Sequence, residues 1–377
     1  MQNTIHSQYN EMVEFLKELV NTESGSYDKE GVDAVANLLI QRYKQLGFLV
    51  EVFENEKLGN NYRLVHKEAK NPQIFIAAHL DTVFPKGTVA ERPFSIDGTR
   101  AYGPGVIDMK ASHVLTYYAI NALIQSGNNA YKNVEIFLNC DEEIGSKTSR
   151  GLIEQYANNK SYALVMEPAR ANGAIVSARR GVGTYELLIE GKASHSGIAP
   201  EAGISAIQEL SYKIQALHAL SRHDEGLSIN VGLISGGTSV NTVAPNARAE
   251  IDVRISTDEQ GVEIDKLVRE VCSKPVLEGV KLTLNGGINR PPMVKTPESA
   301  TLIDIIKEEA RLLSLDIEDI STGGGSDASF TAGVGTPSVD GLGPIGGYQH
   351  SDKEYIDLPS LTERTALFAN ILKRLSQ

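Results

Sequence analysis

The stretch Ile74-Phe75-Ile76-Ala77-Ala78-His79-Leu80-Asp81 decides the fold. An unbroken apolar run of this length suits a strand buried on both faces of a sheet. His79 and Asp81 follow immediately at its carboxyl end. The arrangement recurs twice: the buried-strand run 134–138 leads to Asp141-Glu142-Glu143, and the run 163–166 leads to Glu167. Helical periodicity fills the intervals, at 8–21, at 31–47 with Gly47 as a stop, and at 112–124. Strands alternating with helices predict an α/β domain with a mostly parallel sheet.

The rhythm changes between 181 and 289. Alternating runs at 184–190, 228–235, 246–256 and 281–284 are interleaved with helical patterns at 200–220 and 258–272. That order, β-α-β-β-α-β, is the split βαβ, or ferredoxin-like, unit. We expect an inserted domain at 181–289, with 1–180 and 290–377 forming the two parts of the first domain. Helices near 297–313 and 359–375 complete the latter.

The length of 377 residues accommodates two or three domains. With 41% apolar and 22% charged residues, disordered and fibrous classes drop out. Thirty-six basic against 48 acidic residues give a net charge of −12, which argues against nucleic acid or an anionic membrane as partner. Two cysteines, Cys140 and Cys272, build neither a disulfide framework nor a thiolate zinc site. No basic start with an apolar run opens the chain, and no stretch has membrane-spanning length. A cytoplasmic protein is the expectation.

In open α/β sheets, ligands bind at the carboxyl ends of the strands. His79, Asp81, Glu142, Glu143 and Glu167 would collect there. Asp108, in Gly103-Pro104-Gly105-Val106-Ile107-Asp108, and His350, in a glycine-rich loop, are candidates to join them. Taken singly each has a bland reading: a hydrogen-bonded histidine, a solvated acidic turn, an ordinary strand end. Jointly, acids crowded at one sheet edge repel one another unless cations sit between them. Imidazoles with carboxylates suit Zn²⁺, with Mn²⁺ or Co²⁺ as replacements. There is no His-Glu-x-x-His helix, no phosphate loop and no Gly-x-Ser-x-Gly elbow. The triplet Gly323-Gly324-Gly325 would let backbone approach a ligand closely.

These motifs resemble the M20 family of metallopeptidases and amidohydrolases, most closely its glutamate carboxypeptidase (carboxypeptidase G2-like) branch. The resemblance rests on Ala78-His79-Leu80-Asp81-Thr82-Val83, Gly103-Pro104-Gly105 with Asp108, Asp141-Glu142-Glu143-Ile144-Gly145-Ser146 and Met166-Glu167-Pro168. It continues through Gly191-Lys192-Ala193-Ser194-His195-Ser196-Gly197, Thr322-Gly323-Gly324-Gly325-Ser326-Asp327 and His350-Ser351-Asp352. It implies two Zn²⁺ per chain, with Asp108 bridging, His79 and Glu167 on one ion, and Glu143 and His350 on the other. Glu142 would be the general base. Asp81 would orient His79 through its other ring nitrogen, a direct ligand role staying open. A cis peptide is implied at Asp108–Met109. The resemblance further implies a homodimer through the inserted domain, in which His195 reaches a partner's site to stabilise the oxyanion. Asn241, Arg254 and Arg290 match positions that hold a substrate carboxylate, and Gly325 lies in the substrate loop. Arg179-Arg180 departs from the uncharged branch sequence; it changes acyl-side preference or is simply solvated. The implied reaction cleaves an amide beside a free α-carboxylate in a small peptide or N-acyl-amino acid, with C-terminal Glu favoured. A deacylase or dipeptidase of a related branch is the alternative, and a non-hydrolytic metal-bound binding protein is a remote one.

Overall fold

The computed structural model describes residues 1–377, which form two compact units. The first comprises Met1–Ala178, Lys295–Ser321 and Ser326–Gln377; the second comprises Arg179–Val294 and Thr322–Gly325. Sequence reading leaves the glycine-rich Thr322–Gly325 in the first unit, whereas it clusters with the second.

The first unit is built on a six-stranded sheet in the order Phe48–Phe53, Asn61–His66, Val134–Asn139, Ile74–His79, Tyr162–Val165, Ser338–Val339. The first two pairings are antiparallel and the other three parallel. Ile74–His79 and Val134–Asn139 are buried at every position, as continuous apolar runs require. Glu135, the charged residue within them, is satisfied by Arg63 at 2.8 Å and Lys160 at 2.8 Å. The helix Ala111–Gln125 is buried on nearly every side and packs against Leu358–Leu375.

A second, four-stranded sheet joins Ser95–Asp97, Arg100–Tyr102, Tyr355–Asp357 and Gly346–Gly347. Its strands are too short for periodicity to reveal, yet they hold the loop that carries His350.

The second unit is one antiparallel sheet, ordered Ser228–Gly236, Asn246–Ile255, Gly181–Glu190, Lys281–Arg290. Tyr185, Leu187 and Ile189 alternate inward and form a core with Leu210 and Leu217 of helix Ala206–His218 and Ile264 and Val268 of helix Asp258–Ser273. Ser205 and Thr257 cap these helices by accepting from the Gln208 and Gln260 amides. The expected helix at 200–220 is shorter, because Pro200–Ala202 forms a separate 3-10 turn ahead of the Ser205 cap.

Candidate metal centre

Each candidate group stands at the end of a rigid element. Ile74–His79 delivers His79, and Tyr162–Val165 precedes Glu167. Two neighbouring glutamates on an extended strand would point apart. After Val134–Asn139, however, a 3-10 turn at Glu142–Ile144 brings both round, with Gly145 at φ 94° releasing the chain. Asp108 lies just before the helix Ala111–Gln125, and the Asp108–Met109 peptide is cis. His350 sits at φ 62° in its loop, a backbone region non-glycine residues seldom occupy.

Asp108 is central. Its Oδ1 lies 3.1 Å from His79 Nε2, and its Oδ2 lies 3.4 Å from His350 Nε2. His79 Nε2 is 3.8 Å from Glu167, and His350 Nε2 is 3.1 Å from Glu143. Donor atoms of His79, Asp108 and Glu143 all fall within 4.8 Å of one another, as do those of His79, Glu142 and Glu167. Glu142 thus stands among the potential ligands, on the side of Glu167.

The charges cannot all be satisfied by these side chains. Burial would push the His79 ring down, but the carboxylates of Asp108 and Asp81 outweigh it and hold it well above its ordinary value. His350, accepted by Asp108 and Glu143, is raised to about 10. Burial works against the Asp108 carboxylate too, yet the two imidazoles hold it far below the usual range. Burial pushes Glu143 and Glu167 up, and the adjacent Asp108 adds to both shifts. Glu143 Oε1 is buried without a hydrogen-bond partner. A buried cluster of carboxylates and imidazoles, with a buried carboxylate oxygen left unpartnered, fits a metal centre.

Supporting contacts correct one expectation. His79 Nδ1 lies 2.8 Å from the main-chain carbonyl of Asp81, whereas the Asp81 carboxylate is 3.5 Å away, too far for a hydrogen bond. The carbonyl therefore orients the ring, and Nδ1–H donation leaves Nε2 as the ligating nitrogen. The buried Asp81 carboxylate accepts from Ser26 Oγ at 2.7 Å and from the Glu142 and Glu143 amides at 3.1 and 3.2 Å. It fixes the turn that presents both glutamates, and so is not placed as a ligand.

Sequence reading missed Glu354. This buried carboxylate accepts from the amides of Gly105, Ile107 and Asp108 at 2.9, 3.0 and 3.0 Å. Burial pushes its pKa up to about 7, with Asp108 adding and the three amides opposing. The available signal was its position four residues after His350. Also missed was His113, whose Nε2 lies 2.7 Å from the His79 carbonyl; burial drives its pKa down to about 3, so it is a neutral donor.

In the second unit, Arg254 and Arg290 stand opposite Val182 from either side of the central strand, hence on the same face. Gly325 lies against Arg290 and Val182: a Cβ there would be 3.1 Å from Arg290 Cδ and 3.6 Å from Val182 Cγ2. Arg254 Nη1 donates to Gly323 O at 3.4 Å. Arg179 is buried, only 6% exposed, and donates to the carbonyls of Gly324 and Gly325 at 2.9 and 3.3 Å. It is therefore not solvated; it pins the glycine loop.

His195 and Asn241 lie elsewhere. They follow the far end of the central strand, joined through the His195–Thr242 bridge and a Ser196 N–H to Asn241 O bond of 3.0 Å. From Val182 to Glu190 an extended strand spans about 26 Å. The expected grouping of Asn241 with Arg254 and Arg290 is thus not formed within one chain, because strand length separates them. His195 Nδ1 accepts from the Gly197 amide at 3.2 Å, so Nε2 is the nitrogen placed to donate.

A sequence profile of Peptidase family M20/M25/M40 matches residues 75–374. Carboxypeptidase G2 of Pseudomonas sp. (strain RS-16) is 31% identical over 371 residues, covering 96% of this chain and 88% of that protein. The M20 family metallo-carboxypeptidase Sso-CP2 of Sulfolobus solfataricus has a similar fold, with TM-score 0.78, 19% identity, and 96% and 98% of the two chains covered. The YXEP protein of Bacillus subtilis, described as a dinuclear metal binding peptidase, aligns with TM-score 0.70 at 16% identity over 98% and 99%.

Proposed function

This chain belongs to peptidase family M20/M25/M40, a family of metal-dependent hydrolases, and from that membership we propose a two-metal exopeptidase that cleaves an amide beside a free α-carboxylate. The observation that carries the reading is Asp108, with one carboxylate oxygen toward His79 and the other toward His350. It would bridge two ions, Zn²⁺ first, with Co²⁺ or Mn²⁺ as substitutes. His79 and Glu167 would complete one ion, and Glu143 and His350 the other. When bound, such a pair acidifies a water and polarises the scissile carbonyl.

The chain's own residues do the rest. The Glu142 carboxylate takes a proton from the attacking water and returns it to the leaving nitrogen as the C–N bond breaks. Arg290, with a guanidinium suited to carboxylates, and the glycine loop would hold the substrate's α-carboxylate. C-terminal Glu is the first leaving group to try. A panel of N-acyl-amino acids and dipeptides, assayed on zinc-loaded protein, tests the reading. Release of a C-terminal amino acid supports it, and cleavage only of substrates with blocked carboxylates overturns it.

Glu354 acts on the centre by positioning. Replacing it with Gln puts an NH₂ where a carboxylate oxygen accepts a backbone amide. We expect Glu354→Gln to weaken metal retention by about 10–100-fold. Dialysis against graded chelator, with a thermal melt to separate general unfolding, checks it.

We also read the protein as a homodimer through the second unit. Its edge strand Ser228–Gly236 exposes Leu233 at 62% and Ile234 at 63%, beside Ile207 and Tyr212 of the adjoining helix. An apolar open edge invites pairing. The separation of His195 and Asn241 from Arg254 and Arg290 favours a composite site in which His195 comes from the second copy and donates to the oxyanion. His195→Ala and Glu142→Ala homodimers should then both be inactive. Co-refolded in equal amounts, half the dimers are mixed and each has one working site, giving about a quarter of wild-type activity. Mixed dimers, confirmed by mass, that show no recovery would refute the exchange.

A further inference from the structure

Ser326 and Asp327, at the start of the segment with which the chain re-enters the first unit, have no part in the hydrolysis as proposed. Both are buried, at 1% and 2% exposure. A buried carboxylate is costly unless hydrogen bonds hold its oxygens. Asp327 Oδ2 accepts from Asn139 Nδ2 at 2.6 Å, and its Oδ1 accepts from Ser146 Oγ. Asn139 ends the strand Val134–Asn139, and Ser146 follows the 3-10 turn that presents Glu142 and Glu143. One carboxylate thus clips the entry of that turn to its exit.

The local backbone gives the clip something to hold. Gly145 and Ser146 are both left-handed, at φ 94° and 52°, and serine seldom adopts that region. Ser146 N–H closes the turn by donating to Asp141 O at 2.7 Å, and its hydroxyl then meets Asp327. At the entry, the Asn139 carbonyl accepts from Leu80 N–H at 2.7 Å, which ties this strand end to the residue after His79. Asn139 Oδ1 is buried without a partner, so the NH₂ end, toward Asp327, orients the side chain. Asp327 is itself anchored through its neighbour. Ser326 Oγ donates to Asp340 Oδ2 at 2.5 Å and accepts from the Ala328 amide at 3.2 Å. Asp81 grips the middle of the turn through the Glu142 and Glu143 amides, whereas Asp327 grips its two ends.

We infer that Asp327 is a positioning residue for one half of the metal centre. By fixing Asn139 and Ser146 it sets where the turn places the Glu143 carboxylate, and so governs affinity for one ion of the two. It is outside both donor sets that could share an ion, His79–Asp108–Glu143 and His79–Glu142–Glu167. The inference rests on the two-metal reading, with Glu143 and His350 on one ion and His79 and Glu167 on the other.

Stepwise zinc affinities of the chelator-stripped full chain, measured by competition with a chromophoric chelator, test it. Asp327→Ala should weaken one step by about 10–100-fold, the range for groups that orient ligands from behind, and leave the other within about twofold. General loosening of the fold would weaken both. Ser146→Ala removes one of the two bonds with little change of volume. It should weaken the same step several-fold, and it carries the test if Asp327→Ala fails to fold. Asp327→Asn, whose amide can still pair with Asn139 and with the Ser146 hydroxyl, should stay within about threefold of wild type. Ligand variants identify the step. In Glu143→Gln the surviving step, the ion of His79 and Glu167, should be indifferent to Asp327→Ala; in Glu167→Gln the surviving step should stay sensitive. Both steps weakened alike, or neither, overturns the positioning role while the metal centre stands. A single zinc step, sensitive to Asp327→Ala in wild type but not in Glu143→Gln, supports the positioning role and overturns the ion pair. A wild type that binds no zinc overturns both.

Discussion

Glu142→Ala should retain both metal ions and lose activity by about 10²–10⁴-fold, the usual cost of removing a general base. Its carboxylate lies within 4.8 Å of the donor atoms of His79 and Glu167, close enough to serve as a ligand. Distance alone therefore does not separate base from ligand. The turn does give Glu142 and Glu143 different surroundings: Glu143 reaches His350 at 3.1 Å and keeps a buried, unpartnered oxygen. Metal content by elemental analysis, measured with kcat on the same sample, decides between the roles. Two metals with negligible turnover make Glu142 the base. Loss of one metal exchanges the roles of Glu142 and Glu143, and wild-type turnover removes Glu142 from the mechanism.

Asp108→Ala should do more. Asp108 presents one carboxylate oxygen to each imidazole, so under the two-metal reading its removal would take a ligand from both ions at once. It also leaves the buried His79 without its main counter-charge. Both metals should be lost on dialysis, with activity falling at least as far as in Glu142→Ala. The loop itself should persist, because Glu354 holds it through backbone amides that the substitution leaves in place. Elemental analysis and a thermal melt of the metal-free chains check this. Retention of two ions would dismiss the bridging role. Combined with Glu142→Ala, the losses should not add, since the base has no activated water left to act on.

The contrast between these variants shows what a sequence can carry. Mostly apolar runs that lead into His79, Glu142-Glu143 and Glu167, with Glu135 the charged residue inside them, place those groups at one sheet edge, because a strand's burial is written in its own residues. The 3.6- and 2-residue periods likewise separate the β-α-β-β-α-β segment from its surroundings. Spacing cannot say whether a main-chain or side-chain oxygen of Asp81 meets the His79 ring; that depends on how the turn after Leu80 folds. Glu354 is illegible for another reason, since its three partners lie some 250 positions away and are backbone amides that any residue could supply. Arg254 and Arg290 meet only through strand register, and that register also carries His195 and Asn241 about 26 Å off.

The central claim is that the carboxylates and imidazoles around Asp108 hold two ions that the reaction needs. Its most direct test is a zinc titration of chelator-stripped protein, following bound metal and amide hydrolysis together. The account predicts saturation at two zinc ions per chain, with full activity reached only as the second binds. Saturation at one ion, or full hydrolysis by the stripped chain, would contradict it.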